Sequence, residues 1–335
     1  QAEFSRLANL ESMLRFSASG LLSGSQMSSF ARSAGQTESQ LFQALAQPGS
    51  SYTFIGTKLW DEGQGTMMRF VDSGGACNFH HWYVVKDNDG RLKGLDMYVF
   101  MSGENMSETF RRLIYLASDL LEPSVIDRLT GKSKTMVEQG QLMQEFMSTA
   151  QAGQHQRTLE LYHKLPEELQ QEKAVLINRL RASIQVSDNA YRRAIEDYQS
   201  AFPNDPSCQL VCIDLYAMNN EMDKANEAIE ILQQSVGGDA HMYWLQGALF
   251  SSQEKWDEAA VVIRKALDKE PEYEPAYIAN VGIQIQLGNF VEAAKTVREM
   301  CDRFGYSLDE LALESNPEFR EFVQSDEYKQ LKNDQ

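Results

Sequence analysis

The sequence lacks the residue patterns that mark common enzyme active sites. It contains no GxSxG nucleophile turn, no GxxxxGK[ST] phosphate loop, no HExxH zinc helix and no GxGxxG dinucleotide fingerprint. Its four cysteines form no CxxC pair and are too few for a disulfide scaffold. No apolar run approaches the roughly 18 residues that a membrane-spanning helix requires. These absences predict a protein without enzymatic activity that uses no cofactor and no metal.

Basic residues are scarce in the C-terminal part of the chain. The 335 residues carry a formal net charge of -17. Residues 1–136 hold 13 Lys and Arg against 14 Asp and Glu, whereas residues 137–335 hold 18 against 34. An acidic surface repels phosphate backbones, so we expect no nucleic-acid partner. The charge indicates solubility first, and it also suits a partner that carries basic segments.

A spacing of 34 residues recurs in the C-terminal half. Ala225, Ala259 and Ala293 are separated by two successive intervals of this length. Around the middle alanine, a helical-hairpin pattern is completed by Gly247, Phe250, Ile263, Ala266 and Pro271. Small residues are needed where two helices cross closely, and proline cannot continue a helix. This pattern resembles the tetratricopeptide repeat, and the resemblance implies a stack of helical hairpins.

The resemblance also implies a concave groove, lined by the first helix of each hairpin, that receives a partner protein. Carried over to this sequence, the groove positions include Leu210, Asp214, Met218, His241, Trp244, Ser251, Ile278, Ile285 and Gln286. Few of these residues are charged, which predicts an apolar groove with an acidic rim. We therefore expect a protein or peptide partner with Lys or Arg beside its apolar anchors. Packing of the same side chains against neighbouring helices is the alternative.

The N-terminal half predicts a different module. Four segments have strand character and are joined by short turn sequences, which is typical of an antiparallel meander. They are SYTFIGTKLW, TMMRFVD, CNFHHWYVV and GLDMYVFM. Helices flank them: residues 1–47 have a helical pattern, and Asn105 and Glu108 have capping-box spacing at the start of another helix. The run DMYVFMSGENMSETFRR resembles a segment of uncharacterised bacterial proteins that join such a domain to helical repeats, and this resemblance implies no activity.

The predicted fold class is an α+β N-terminal domain, with a four-stranded antiparallel meander and flanking helices, followed by an all-α superhelix of the tetratricopeptide type. The expected boundaries are 1–125 for the α+β domain, 126–140 for a connector, 141–305 for four to five hairpins and 306–335 for capping helices. The chain starts at Gln1 without a methionine. From this we expect a removed signal peptide and a periplasmic or secreted location, with a cytoplasmic location left open.

The third predicted strand carries a candidate for chemistry. His80 and His81 are adjacent on this strand, so they face opposite ways. With Asp96 on the neighbouring strand, His80 forms a candidate general-base couple. A hydrogen bond across two strands on a solvated face is the alternative.

Three functions remain open from the sequence alone. The first is an adaptor or assembly factor that binds a partner protein in the groove of the repeats. In the second, an aromatic cavity around Trp82, Tyr98 and Phe100 is a small-molecule or enzymatic pocket, and the repeats recruit the substrate. The third is a structural protein that associates with itself through exposed repeat faces. The oligomeric state is not predicted by the sequence.

Overall fold

The computed structural model describes residues 48–60, 63–86, 89–116, 140–203 and 205–334. The predicted helical segment 1–47 and nearly all of the predicted connector lie outside these ranges. Residues 1–212 and 213–335 form two compact units. The domain boundaries given above stay a prediction.

The N-terminal unit contains a five-stranded antiparallel sheet in which each strand pairs with its sequence neighbour. Its strands are β1 (Ser51–Trp60), β2 (Gly63–Val71), β3 (Cys77–Lys86), β4 (Leu92–Val99) and β5 (Glu104–Asn105). The predicted α+β meander is confirmed, with one strand more than the four expected. β5 has only two residues, which pair with the end of β4. A strand this short leaves no alternating pattern in a sequence.

The strand register assigns each side chain to one face of the sheet. Directly opposed residues of antiparallel strands lie on the same face. His81 is opposite Met67 on β2 and Tyr98 on β4, whereas His80 is opposite Met68 and Val99. The two histidines therefore face opposite sides, as their adjacency predicts.

His80 belongs to a buried hydrogen-bond network. Its Nδ1 atom lies 3.0 Å from the Tyr52 hydroxyl, which also accepts a hydrogen bond of 2.6 Å from the Trp82 indole. Its Nε2 atom lies 3.1 Å from Asn78 Nδ2. Asn78 Oδ1 accepts two backbone N–H groups, so Nδ2 is the donor and His80 Nε2 is the acceptor. Burial lowers the pKa of His80 to about 4, and the ring is therefore neutral at pH 7.

The other regular elements of the described chain are helices. In the N-terminal unit they are α1 (Met106–Leu116), α2 (Gly140–Gln151), α3 (His155–Tyr162), α4 (Glu167–Gln170), α5 (Lys173–Ile184) and α6 (Asp188–Ala201). Helix α7 (Pro206–Met218) crosses the division between the units. The C-terminal unit continues with α8 (Met222–Val236), α9 (Ala240–Ser252), α10 (Trp256–Lys269), α11 (Glu274–Gln286), α12 (Phe290–Phe304), α13 (Arg320–Gln324) and α14 (Asp326–Asn333). Two short 3-10 turns, Leu313–Ser315 and Pro317–Phe319, precede α13.

Local sequence signals explain where several helices begin and end. The backbone N–H of Asn105 donates to Glu108, which confirms the predicted capping interaction at α1. Ser187 and Asp239 accept hydrogen bonds from the first turns of α6 and α9. Helix α12 ends at Gly305, whose φ of 76° is in the left-handed region that glycine adopts without strain.

The helices of the C-terminal unit pack as successive hairpins. Helix α9 packs on α10, α10 on α11, and α11 on α12. The three alanines of the 34-residue spacing are all fully buried at helix crossings. Gly247 on α9 faces the fully buried Ile263 of α10, and a Cβ atom at residue 247 would lie only 2.6 Å from Ile263 Cδ1. Glycine at this position therefore lets the two helices approach closely.

In the N-terminal unit the turn after β4 packs on α5 and α6. Gly103, in the turn after β4, has a φ of 67°, and a Cβ there would lie 2.7 Å from Ile177 and 2.8 Å from Lys173. Arg181 on α5 donates a hydrogen bond to the Met101 carbonyl. The turn after β4 is thus held against the helices by close contact and by a charged donor.

The buried His80 predicts an acid-sensitive sheet. The His80 side chain takes up a proton near pH 6.5 in the unfolded chain, but only near pH 4 in the folded chain. The free energy of unfolding therefore falls as the pH drops from about 6.5 to about 4. We expect a loss of about 2–3 kcal/mol between about pH 7.5 and 4.5. Hydrogen exchange of the β3 amides, corrected for its intrinsic pH dependence, measures it. The His80→Gln variant should be less stable at neutral pH, but its free energy of unfolding should fall less steeply as the pH drops. An unchanged pH dependence would show that His80 is not its source.

The contact at Gly247 predicts opposite effects for two glycine substitutions. Gly247→Ala places a methyl group against Ile263, and overpacking of this kind costs about 1–3 kcal/mol. Gly282→Ala on α11 is the matched control, because a Cβ there meets nothing within 4 Å. The control should be neutral or more stable by up to about 1 kcal/mol. Urea denaturation followed by circular dichroism tests both, and equal effects would show that the close helix crossing is not required.

Candidate functional site

The predicted His80–Asp96 couple is not formed. Asp96 is opposite Tyr83 on the face that carries His81, so His80 and Asp96 lie on opposite sides of the sheet. Asp96 accepts hydrogen bonds from the Met97 backbone and from the backbone and hydroxyl of Ser107. It thereby holds the first turn of α1. The hypothesis was wrong because Asp96 pairs with Tyr83, which lies three residues after His80 on β3. Side chains alternate between the two faces of a strand, so an offset of three residues places His80 and Asp96 on different faces.

The predicted aromatic cavity also divides between the two faces. Trp82 lies with His80, is only 1% exposed and donates to Tyr52. Tyr98 and Phe100 lie on the other face, where their rings meet edge to face at 5.3 Å. A cavity that combines Trp82, Tyr98 and Phe100 is therefore excluded by the register.

A different cavity, here named the sheet cleft, lies on the Tyr98 face within the N-terminal unit. It has a volume of about 540 Å³. Its walls come from the sheet, from the start of α5 and from the segment between α6 and α7. The lining residues are Lys58, His81, Tyr83, Tyr98, Phe100, Lys173, Ala201, Phe202, Pro203, Asp205 and Pro206.

An ion pair lies on one side of the sheet cleft. Lys173 pairs with Asp205 and donates a hydrogen bond of 3.0 Å to the Tyr98 hydroxyl. The Tyr98 hydroxyl also lies 2.7 Å from Ser207 Oγ at the start of α7. Burial opposes the charge of Lys173, but the hydrogen bonds to Asp205 and Tyr98 outweigh it and raise its pKa. Lys173 therefore stays a cation and joins strand β4 to the helices.

His81 forms a neutral wall of the same cleft. Burial lowers its pKa, and the nearby charge of Lys58 lowers it further. Its Nε2 atom packs over Gly65, where an added Cβ would lie 2.2 Å away. The imidazole is thus held in place by close packing.

The predicted groove residues differ widely in their exposure. Ile278 on α11 is 56% exposed and Gln286 is exposed, whereas Leu210, Trp244 and Ser251 are half-buried. His241 is buried and lies 2.7 Å from the Tyr273 hydroxyl, and Ile285 is buried in the core. Asp214 and Met218 belong to α7, and their side chains lie outside the described part of the structure. His241 and Ile285 thus offer little surface, and among the groove residues whose side chains are described Ile278 offers the most apolar surface.

Ile278 also borders an apolar pocket, here named the cap pocket, in the C-terminal unit. The pocket has a volume of about 270 Å³ and lies between α11, α12 and the segment 306–319. Its lining residues are Glu274, Ile278, Val281, Val297, Met300, Tyr306, Glu310, Leu311, Leu313 and Phe319. The apolar residues of the C-terminal tail are a sequence signal for this pocket, although from the sequence alone they predict only capping helices.

The described ranges hold neither a metal-binding cluster nor a membrane-spanning helix. Among the described residues, no group of three His, Cys, Asp or Glu side chains is placed to hold a metal ion. In that part of the chain, no helix is both long enough and apolar enough to span a bilayer.

Comparison with known proteins identifies the helical region. A sequence model described as "Tetratricopeptide repeat" matches residues 251–300, which include α10, α11 and most of α12. No curated protein sequence matches the chain significantly.

Several solved structures are similar to part of this chain. "Crystal structure of MamA protein" has 15% identity and a TM-score of 0.43, and the alignment covers 48% of this chain and 89% of that one. "MamA AMB-1" has 17% identity and a TM-score of 0.44, with coverage of 53% and 97%. Residues 251–300 therefore match the tetratricopeptide repeat, and the hairpin packing of α10, α11 and α12 agrees with this match.

Proposed function

We propose that the C-terminal unit is a protein-binding scaffold that takes an apolar side chain of its partner into the cap pocket. On this proposal the protein is an adaptor or assembly factor, and binding requires no chemical step. The observation that carries the proposal is the exposure of Ile278 at the mouth of a pocket with mainly apolar walls.

The apolar lining supplies the affinity. An exposed isoleucine beside a concave apolar surface loses water contact when a partner covers it. Burial of its exposed area contributes on the order of 1–2 kcal/mol, and the partner's anchor adds a comparable amount. Peptides of the helix-in-groove kind bind by a few such anchors.

Acidic groups supply the selectivity. Glu274 accepts a hydrogen bond from Tyr306, and Glu310 accepts two from Ser307, so both carboxylates are held at the pocket. The hydrogen bonds from Ser307 lower the pKa of Glu310, which keeps it ionised at neutral pH. Residues 213–335 carry 24 Asp and Glu against 11 Lys and Arg. A partner with Lys or Arg next to its apolar anchor fits this arrangement.

The proposal predicts the outcome of a selection from a random-peptide display library on the full chain. We expect enriched peptides to share an aliphatic or aromatic residue with Lys or Arg close to it. Ile278→Glu should weaken the best peptide by at least about tenfold, which corresponds to about 1.4 kcal/mol, because it adds a charge where the anchor binds. Binding should also weaken as salt increases.

Val291→Glu is the matched control, because Val291 on α12 is 70% exposed and does not line the cap pocket. Circular dichroism should first show that both variants fold. Equal loss of binding in the two variants, or enrichment of peptides without basic residues, would contradict the proposal.

A further inference from the structure

We propose that the cap pocket binds small molecules of the class of apolar primary amines, in which an ammonium group is joined to an aliphatic or aromatic body. This site deepens the proposed function and rests on it, because the partner's anchor enters the same pocket. A free amine of this class therefore competes with the partner protein. The size of the pocket, its apolar walls and the sign of its charges all favour such a ligand.

The size of the cap pocket suits a small ligand. Its volume is about 270 Å³. An apolar cavity of about 150 Å³ accepts a benzene ring, and pockets for larger ligands begin at about 300 Å³. The cap pocket therefore has room for one ring, or for an aliphatic group of similar size, together with a short chain that carries an ammonium group.

Apolar side chains from separate elements form the walls of the cap pocket. Val281 on α11, Val297 and Met300 on α12, and Leu313 in the following 3-10 turn are all buried. Because buried side chains are held by close packing, these walls exist before a ligand binds. The apolar body of a ligand loses its contact with water when it enters, and this loss supplies affinity.

The charges that line the cap pocket are of one sign. Glu274 and Glu310 are the charged residues of its lining, and neither forms an ion pair within the described part of the chain. Of the basic residues near them, Arg303 and Lys332 pair with other carboxylates. Arg320 is exposed and does not line the pocket. The lining thus carries two negative charges and no positive one, which favours a cation over an anion.

Hydrogen bonds hold both carboxylates in place. Glu274 Oε1 accepts a hydrogen bond of 2.6 Å from the Tyr306 hydroxyl, and Glu310 Oε2 accepts two from Ser307. Within the described ranges, the second oxygen of each carboxylate accepts no hydrogen bond from the protein. The pKa of Tyr306 is raised by its hydrogen bond to Glu274 and by the charges of Glu274 and Glu310, so both carboxylates act on one hydroxyl. An ammonium group, with three donors, matches the oxygens that remain.

Saturation-transfer NMR on the full chain tests the site with three probes of similar size: phenethylamine, phenethyl alcohol and phenylpropionate. At neutral pH they are a cation, a neutral molecule and an anion. We expect phenethylamine to bind most tightly and phenylpropionate least tightly. Glu274→Gln and Glu310→Gln should each weaken phenethylamine by about threefold or more and change phenethyl alcohol by less than about twofold. Glu258→Gln, at an exposed position of α10 outside the pocket, is the matched control and should bind phenethylamine like the wild type.

A further variant tests the location independently of charge. Leu311 lines the cap pocket and is half-buried, so Leu311→Trp should fill the space and abolish binding of all three probes. Circular dichroism should first show that this variant folds. Unchanged binding of phenethylamine in the folded variant would overturn the proposal.

Competition with the best peptide from the display selection separates the amine site from the proposed function. Phenethylamine should displace this peptide, because both occupy the cap pocket. The amine site is overturned if phenethylamine does not bind, if phenylpropionate binds equally well, or if Glu258→Gln loses as much affinity as the two pocket variants. These three outcomes leave peptide binding intact. Failure of the proposed function would instead leave phenethylamine binding in place without any enriched peptide.

Discussion

The close crossing of α9 and α10 is the constraint on which the C-terminal unit depends. Gly247 brings the α9 backbone against the fully buried Ile263, and the buried Ala259 and Ala266 line the same helix face. Close helix contact of this kind leaves no space for water or for alternative rotamers. Helix α10 packs in turn on α11, and Ile278 on α11 is 56% exposed.

A corresponding constraint in the N-terminal unit is the set of contacts around Lys173. Its ammonium group pairs with Asp205 and donates to Tyr98, so one side chain joins α5, β4 and the segment before α7. A buried ion pair contributes little net stability, because the loss of hydration offsets the attraction. Its role here is geometric, since it fixes the distance between the sheet and the helices. The sheet cleft is the space that this distance leaves open.

Much of this architecture could be predicted from short-range signals. The spacing of Ala225, Ala259 and Ala293 predicts the hairpins because each repeat buries a small residue at the same crossing. The capping interaction of Asn105 with Glu108 and the opposite directions of His80 and His81 follow from neighbours in the sequence. The pairing of His80 with Asp96 failed because strand register depends on turn geometry and on a bulge near Tyr83, which side-chain alternation does not reveal. The sheet cleft was missed because Tyr98 and Asp205 are 107 residues apart and meet only in the folded chain.

On the function proposed here, the surface at Ile278 contacts a partner protein. Site-specific photo-cross-linking tests it most directly: a benzoylphenylalanine at position 278 is compared with one at position 291 in native extract. We predict a discrete cross-linked product from position 278 that is competed away by a peptide with an apolar anchor beside a lysine, and none from position 291. No product from position 278, or the same products from both positions, would contradict the account.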